Sequence, residues 1–176
     1  VGALCVVMAL ADATFWAAWA GWLPAVAPDT PVRFALYLVA TLTFVIGGRV
    51  IPMFTLNAVR GLKQFKDPRL DRAAIGVSVA AFVLDLAGVS GIALAVVAAM
   101  AALLQAARLA GWGPQGTLRK PILWILHASY AWAVVGFVLM AAAALGAVPR
   151  TLSVHAFAVG LIGGLIIGMI TRTALG

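Results

Sequence analysis

At 176 residues, with 65% hydrophobic and only 10% charged side chains and a mean hydropathy of +1.12, this chain is too apolar for a water-soluble domain. Its long continuous apolar runs exclude a membrane β-barrel, whose strands alternate every second residue. The net charge of +7 does not call for nucleic acid, because the basic residues lie between apolar runs where lipid headgroups meet them, and the single cysteine, Cys5, excludes an internal disulfide and any Cys-rich metal site.

The chain therefore reads as an all-α, polytopic transmembrane helix bundle in a lipid bilayer. With about 20 apolar residues per span there is room for roughly six spans joined by short loops. Because it begins inside an apolar run at Val1 and stops just after its last one, it is expected to be one transmembrane domain, a fragment of a longer protein.

The first span runs from about Val1 to Leu23 and ends in Trp16, Trp19 and Trp22, aromatics suited to the headgroup boundary. A proline-rich loop, Pro24 to Pro31, leads to the second span, about Val32 to Leu56. There GGRVIPMFT places Gly47, Gly48 and Pro52 in succession. Pro52 lacks the amide that would bond the carbonyl of Gly48, so a kink or break is expected, with Arg49 beside it.

The following NAVRGLKQFKDPRLDR carries Arg60, Lys63, Lys66, Arg69 and Arg72 and reads as an interfacial connection. The third span, about Ala73 to Leu86, is short and turns at Asp85 to Gly91 into a fourth that ends near Arg108. A second basic loop, Gly111 to Lys120, precedes the fifth span, Pro121 to Leu145, and a tight turn at Gly146 to Arg150 precedes the sixth, Leu152 to Leu175. Loops two and four together carry eight basic residues, counting Arg108, whereas loops one, three and five carry only Arg33 and Arg150. The excess of positive charge places loops two and four in the cytoplasm.

Ionisable groups at membrane depth are costly and hence informative; here they are Asp12, Arg49, His127, His155 and Arg172. Arg172 has the reach to snorkel to the cytoplasmic interface. Arg49 is either an anion clamp, for a haem propionate or a small anion, or a side chain that snorkels or pairs with Asp12. In a chain without glutamate, two intramembrane histidines point to haem or metal ligation before acid–base chemistry, with a structural hydrogen bond to backbone as the alternative. By helical rise His127 lies about 10 Å from the cytoplasmic boundary and His155 about 5 Å from the outer one, so they are not expected to share one ion.

On an α-helical wheel span six carries Ala156, Gly160, Gly164 and Gly168 in one stripe, a small-residue seam for close helix approach. His155, Ile162, Ile166 and Met169 fall on the opposite side, where His155 is expected to face an internal cavity of a central helix.

GGRVIPMFT, PILWILHASYAW and SVHAFAVGLIGGLIIGMITRTALG, in this order, resemble the NnrS family of bacterial inner-membrane proteins, with the likeness running from Gly47 to Gly176. The resemblance implies a multi-pass protein of about twelve membrane helices that contains haem and copper and is associated with nitric oxide, nitrosative stress and denitrification. It puts Arg49, His127 and His155 on matching motifs as cofactor-binding residues, His127 and His155 as metal ligands, and nitric oxide as the small-molecule ligand. It leaves open which histidine serves haem and which copper, the oligomeric state, and whether any reaction is turned over. Members usually continue past Leu175-Gly176 into a His-Thr-Gly-Arg segment and carry a His-Glu motif in an early helix, neither of which is in this sequence. The competing reading is a permease-like bundle with an anion site at the broken second span.

Overall fold

The computed structural model describes residues 2–23, 27 and 29–174; the proline-rich first loop lies mostly outside them, as does Leu175 at the end of the expected sixth span. Among the described residues there are six helices and no strands: α1 (Gly2–Trp19), α2 (Asp29–Ala58), α3 (Pro68–Leu86), α4 (Ile92–Gly111), α5 (Pro121–Ala144) and α6 (Arg150–Ala174). Four of them, α2, α4, α5 and α6, are long and apolar enough to cross a bilayer, and α1 contributes a shorter apolar helix, Cys5–Trp19. The protein is a multi-pass membrane protein.

Local chemistry sets the helix ends. Asp67 caps α3, its Oδ1 accepting from the amide of Arg69 at 2.8 Å, and Pro68 follows at a position that needs no amide donor. Gly88, Gly91 and Gly146 turn the chain with φ near +75°, and the amide of Gly91 donates to the carbonyl of Ala144 at 2.9 Å, joining two turns at one end of the bundle. At the other end the two basic loops pack together: Phe65 N–H donates to Gly111 O at 2.9 Å, the Gln64 amide to Trp112 O at 2.8 Å, and Lys120 Nζ to Ala58 O. Both basic loops thus share one end, as their charge requires.

The core is an aromatic cluster drawn from four helices. Tyr37 of α2 stacks on Phe82 of α3 at 4.2 Å, and Phe82 meets Phe137 of α5 and Phe157 of α6, each at 5.2 Å. Such pairs contribute roughly 0.5–1.5 kcal/mol each beyond area burial. Helix α5 packs against α4 on one side and α6 on the other, and α1 rests mainly on α2.

Two sequence expectations need correction. Helix α2 is unbroken through Pro52, so the second span offers no unwound segment to hold an anion. Its small residues serve side-chain packing instead: a Cβ on Gly48 would collide with the guanidinium of Arg108, and one on Gly47 would touch the Tyr130 ring at 3.5 Å. Helix α6 is π-helical over Ala156–Gly163, which the regular wheel could not anticipate.

Candidate functional site

The close face of α6 lies against α5. A Cβ on Gly164 would stand 2.6 Å from Ser129 Oγ, one on Gly168 2.8 Å from Leu126, and one on Gly160 inside the Trp132 ring. These contacts realise the small-residue seam, and they leave a groove of about 620 Å³ lined by Ala128, Ser129, Trp132 and Leu139 of α5 and by His155, Gly160 and Gly164 of α6.

His155 sits at the end of that groove nearer the non-basic loops. Its Nδ1 is 2.7 Å from the carbonyl of Thr151, one turn back on its own helix. A carbonyl only accepts, so Nδ1 carries a proton, and in the neutral ring Nε2 is the nitrogen with the lone pair. The imidazole is exposed within this chain, not enclosed, and Ile166 is exposed as well, while Ile162 and Met169 are partly buried against the core. The expected internal cavity on the side opposite the glycines is therefore replaced by a groove that His155 shares with them. Helix α6 is correspondingly peripheral within this chain, with Val159, Ile166, Ile167 and Ile170 exposed.

His127 is held the same way but buried, with 4% of its surface exposed. Its Nδ1 donates to Leu123 O at 3.1 Å, and Nε2 faces Thr55 Oγ1 of α2 at 3.4 Å. Thr55 already donates to Ile51 O at 2.9 Å, so Nε2 lacks a donor unless that hydroxyl turns toward it. A small cavity of about 300 Å³ lies beside the ring, under Pro114, Thr117 and Leu118 of the second basic loop. Gly160 faces Trp132 and Gly164 faces Ser129, so α6 runs antiparallel to α5 and His155 lies beyond the level of Trp132, itself five residues, about 7.5 Å of helical rise, from His127. The two imidazoles cannot share one ion, as expected.

Arg49 is exposed on α2, on a stripe with Val45, Ile46, Met53 and Leu56, and makes no ion pair among the described residues. Asp12 does not reach it: α1 runs antiparallel to α2 and sets Asp12 beside Pro31, Val32 and Ala35, about 21 Å of helical rise from Arg49. Arg172 lies with its guanidinium carbon 5.5 Å over the Phe54 ring, a cation–π contact between α6 and α2. Among the described residues no three His, Cys, Asp or Glu side chains converge as a metal set.

Residues 1–176 match the family described as NnrS protein. The chain belongs to the NnrS family. No curated protein and no solved structure matches it.

For a family member the question is whether these residues suit a prosthetic group. His155 does, because an imidazole with Nδ1 tied to a carbonyl and Nε2 free beside an apolar groove is the arrangement that orients a ligand nitrogen. His127 suits one only if the Thr55 hydroxyl remains on Ile51 O and the ring gains access to its side cavity. Arg49 shares no contact with either histidine.

Two buried networks in this NnrS-family chain were not visible as such in the sequence. Arg108, 3% exposed, donates from Nε to Asp71 Oδ1 at 2.6 Å and from Nη1 to Phe44 O at 2.9 Å and Tyr130 Oη at 2.7 Å. Tyr130 Oη donates to Gln105 Oε1, and the Gln105 amide donates to Ser78 Oγ. Arg108 is thus a core residue and not a loop charge; removing it leaves seven basic residues at that end, still far more than at the other. Asp85 lies in the last turn of α3, not in the turn after it, with 1% of its surface exposed; it accepts from Arg33 at 2.6 Å and Tyr37 at 2.8 Å, with Arg150 at 3.4 Å. The usable signal was that both acids fall within one turn or so of a helix end, opposite an arginine near the matching end of a neighbour.

Proposed function

We propose that this chain is one histidine-bearing part of a longer haem- and copper-containing protein of the bacterial inner membrane that acts in the response to nitric oxide. The observation that carries the reading is His155: its Nδ1 is fixed on Thr151 O, which leaves Nε2 as the free donor atom beside the α5–α6 groove. Haem iron or copper held there would supply a coordination position for nitric oxide. The chain's own contribution is to orient the imidazole through Thr151, to wall the groove with Trp132, Leu139 and the glycine face, and to keep water from it. His127 is the candidate for a second, separate centre near the basic loops, and Thr55 is the side chain that must yield Nε2 to it. Arg49 would serve an anion, such as a propionate, brought to the exposed face of α2 by sequence outside this chain.

Membership in the NnrS family supports the identity of the metals and the link to nitric oxide. The permease-like alternative loses the broken span on which it rested, since α2 is continuous. The test is to purify the full-length protein with His155→Ala, His127→Ala and Arg49→Leu, measure haem and copper per polypeptide, and record optical spectra with and without nitric oxide. Loss of the Soret band or of copper in a histidine variant is the expected result. Unchanged metal content and nitrosyl spectra in all three would assign these residues a structural role.

A further inference from the structure

A regular α-helix advances about 100° per residue, so Gly164, nine residues after His155, would stand about 180° from it. In this structure the two line one groove. The difference is made between them, where Ala156–Gly163 is π-helical. Hydrogen bonds from i to i+5 widen the turn and each residue advances through a smaller angle, which reduces the rotation between the histidine and the glycines.

π-Segments are rare and less favourable than α-helix, so this one must be held from both sides. On its C-terminal side Gly164 and Gly168 fix α6 against Ser129 and Leu126, and within it Gly160 lies against Trp132. On its N-terminal side Arg150 reaches Asp85 at 3.4 Å, and Asp85 is itself anchored by Arg33 and Tyr37. Within the segment Phe157 is fully buried, packed 4.9 Å from Phe137 and filling the space a Cβ on Gly136 would need. Both ends of α6 are pinned, and the wide turns between them set the rotation of residue 155.

We infer that the π-helical segment Ala156–Gly163 is a positioning device: its extra residue turns His155 Nε2 into the α5–α6 groove, and without it the imidazole would point away. The inference deepens the proposed function, since it concerns the residue assigned there as a ligand. Its geometric half does not depend on any cofactor.

The experiment deletes Ala158, which removes one residue from the segment and favours the α register, in full-length protein carrying Cys5→Ser. Position 155 is read by His155→Cys paired with Leu139→Cys, residues that line the same groove, using a short bifunctional thiol reagent in membranes. Cross-linking is expected in the undeleted chain, lost on deletion, and restored when one alanine is reinserted between Gly160 and Leu161. Separately, the deletion with His155 intact is expected to lose the Soret or copper signal that His155→Ala loses, and the reinsertion to recover it. No cross-link in the undeleted chain, or an equal cross-link after deletion, overturns the inference. The undeleted pair alone decides this if the deletion variant fails to accumulate. If the cross-link is lost but the metal signals stay, the register inference stands and ligation by His155 fails.

Discussion

Replacing a helical glycine by alanine ordinarily stabilises a helix by about 0.5–1 kcal/mol, because glycine loses more backbone entropy on folding. Gly48→Ala should do the reverse. A Cβ at that position would occupy the place of the Arg108 guanidinium. An arginine tip is normally free to swing aside, but this one is fixed by three hydrogen bonds, to Asp71, Phe44 O and Tyr130. Moving it leaves a buried charge partly unpaired, a change that costs about 3–5 kcal/mol in buried ion pairs. Subtracting the gain in helix propensity leaves a net loss of roughly 2–4 kcal/mol. Gly76→Ala in α3 is the control, since nothing lies within 4 Å of its added methyl. Thermal retention of monodisperse protein in detergent should fall markedly for Gly48→Ala and stay level or rise for Gly76→Ala. Equal retention in both variants would refute the argument that Gly48 exists to admit Arg108.

Three further outcomes follow from the same contacts. With Cys5→Ser, a cysteine placed by Lys66→Cys should resist an impermeant thiol reagent in intact cells while one placed by Ala147→Cys reacts; the opposite labelling would invert the orientation. Gly164→Leu, whose side chain must enter Ser129, should abolish accumulation of folded protein, whereas Ile166→Leu on the exposed face should cost under about 1.5 kcal/mol, as read by the same thermal assay. Asp85→Asn should lower stability, by less than the about 3–5 kcal/mol of a fully broken buried pair because Arg33 Nε still donates to Asp29 at 3.0 Å, and wild-type melting would contradict its place as the anchor of that end.

The helices were legible in the sequence because their signal is bulk hydropathy, which needs no knowledge of neighbours. The small-residue seam of span six was legible for a similar reason: Gly160, Gly164 and Gly168 repeat at a fixed interval, and such a repeat has few uses other than close packing. Which side of the helix His155 would take was not legible. The wheel assumed one twist throughout, and the eight π-helical residues that alter it are stabilised by Phe157 under Gly136 and by the Asp85 cluster, contacts more than 18 positions apart in sequence. The continuity of α2 at Pro52 was hidden for a different reason. A proline within a span permits a break but does not impose one, and here α2 stays helical through Pro52, with Gly47 and Gly48 packed against Tyr130 and Arg108.

Helix α3 shows why charge could not be read position by position. By composition it falls short of a membrane span, with Arg69, Asp71 and Arg72 near its start and Asp85 near its end. Its two acids are separated by fourteen residues, about 21 Å of helical rise, and each meets an arginine from a neighbour: Arg108 of α4 at one end and Arg33 of α2 at the other. An acid stranded at either depth would cost several kcal/mol, as would either arginine without it. Sliding α3 along its neighbours by a single turn would part both pairs at once, so the pairs fix its depth and rotation even though a buried ion pair adds little net stability. The consequence reaches the candidate site, because Asp85 of α3 holds Arg150 five residues before His155. A helix that falls short of a membrane span by composition thereby anchors the end of the helix that carries the proposed ligand.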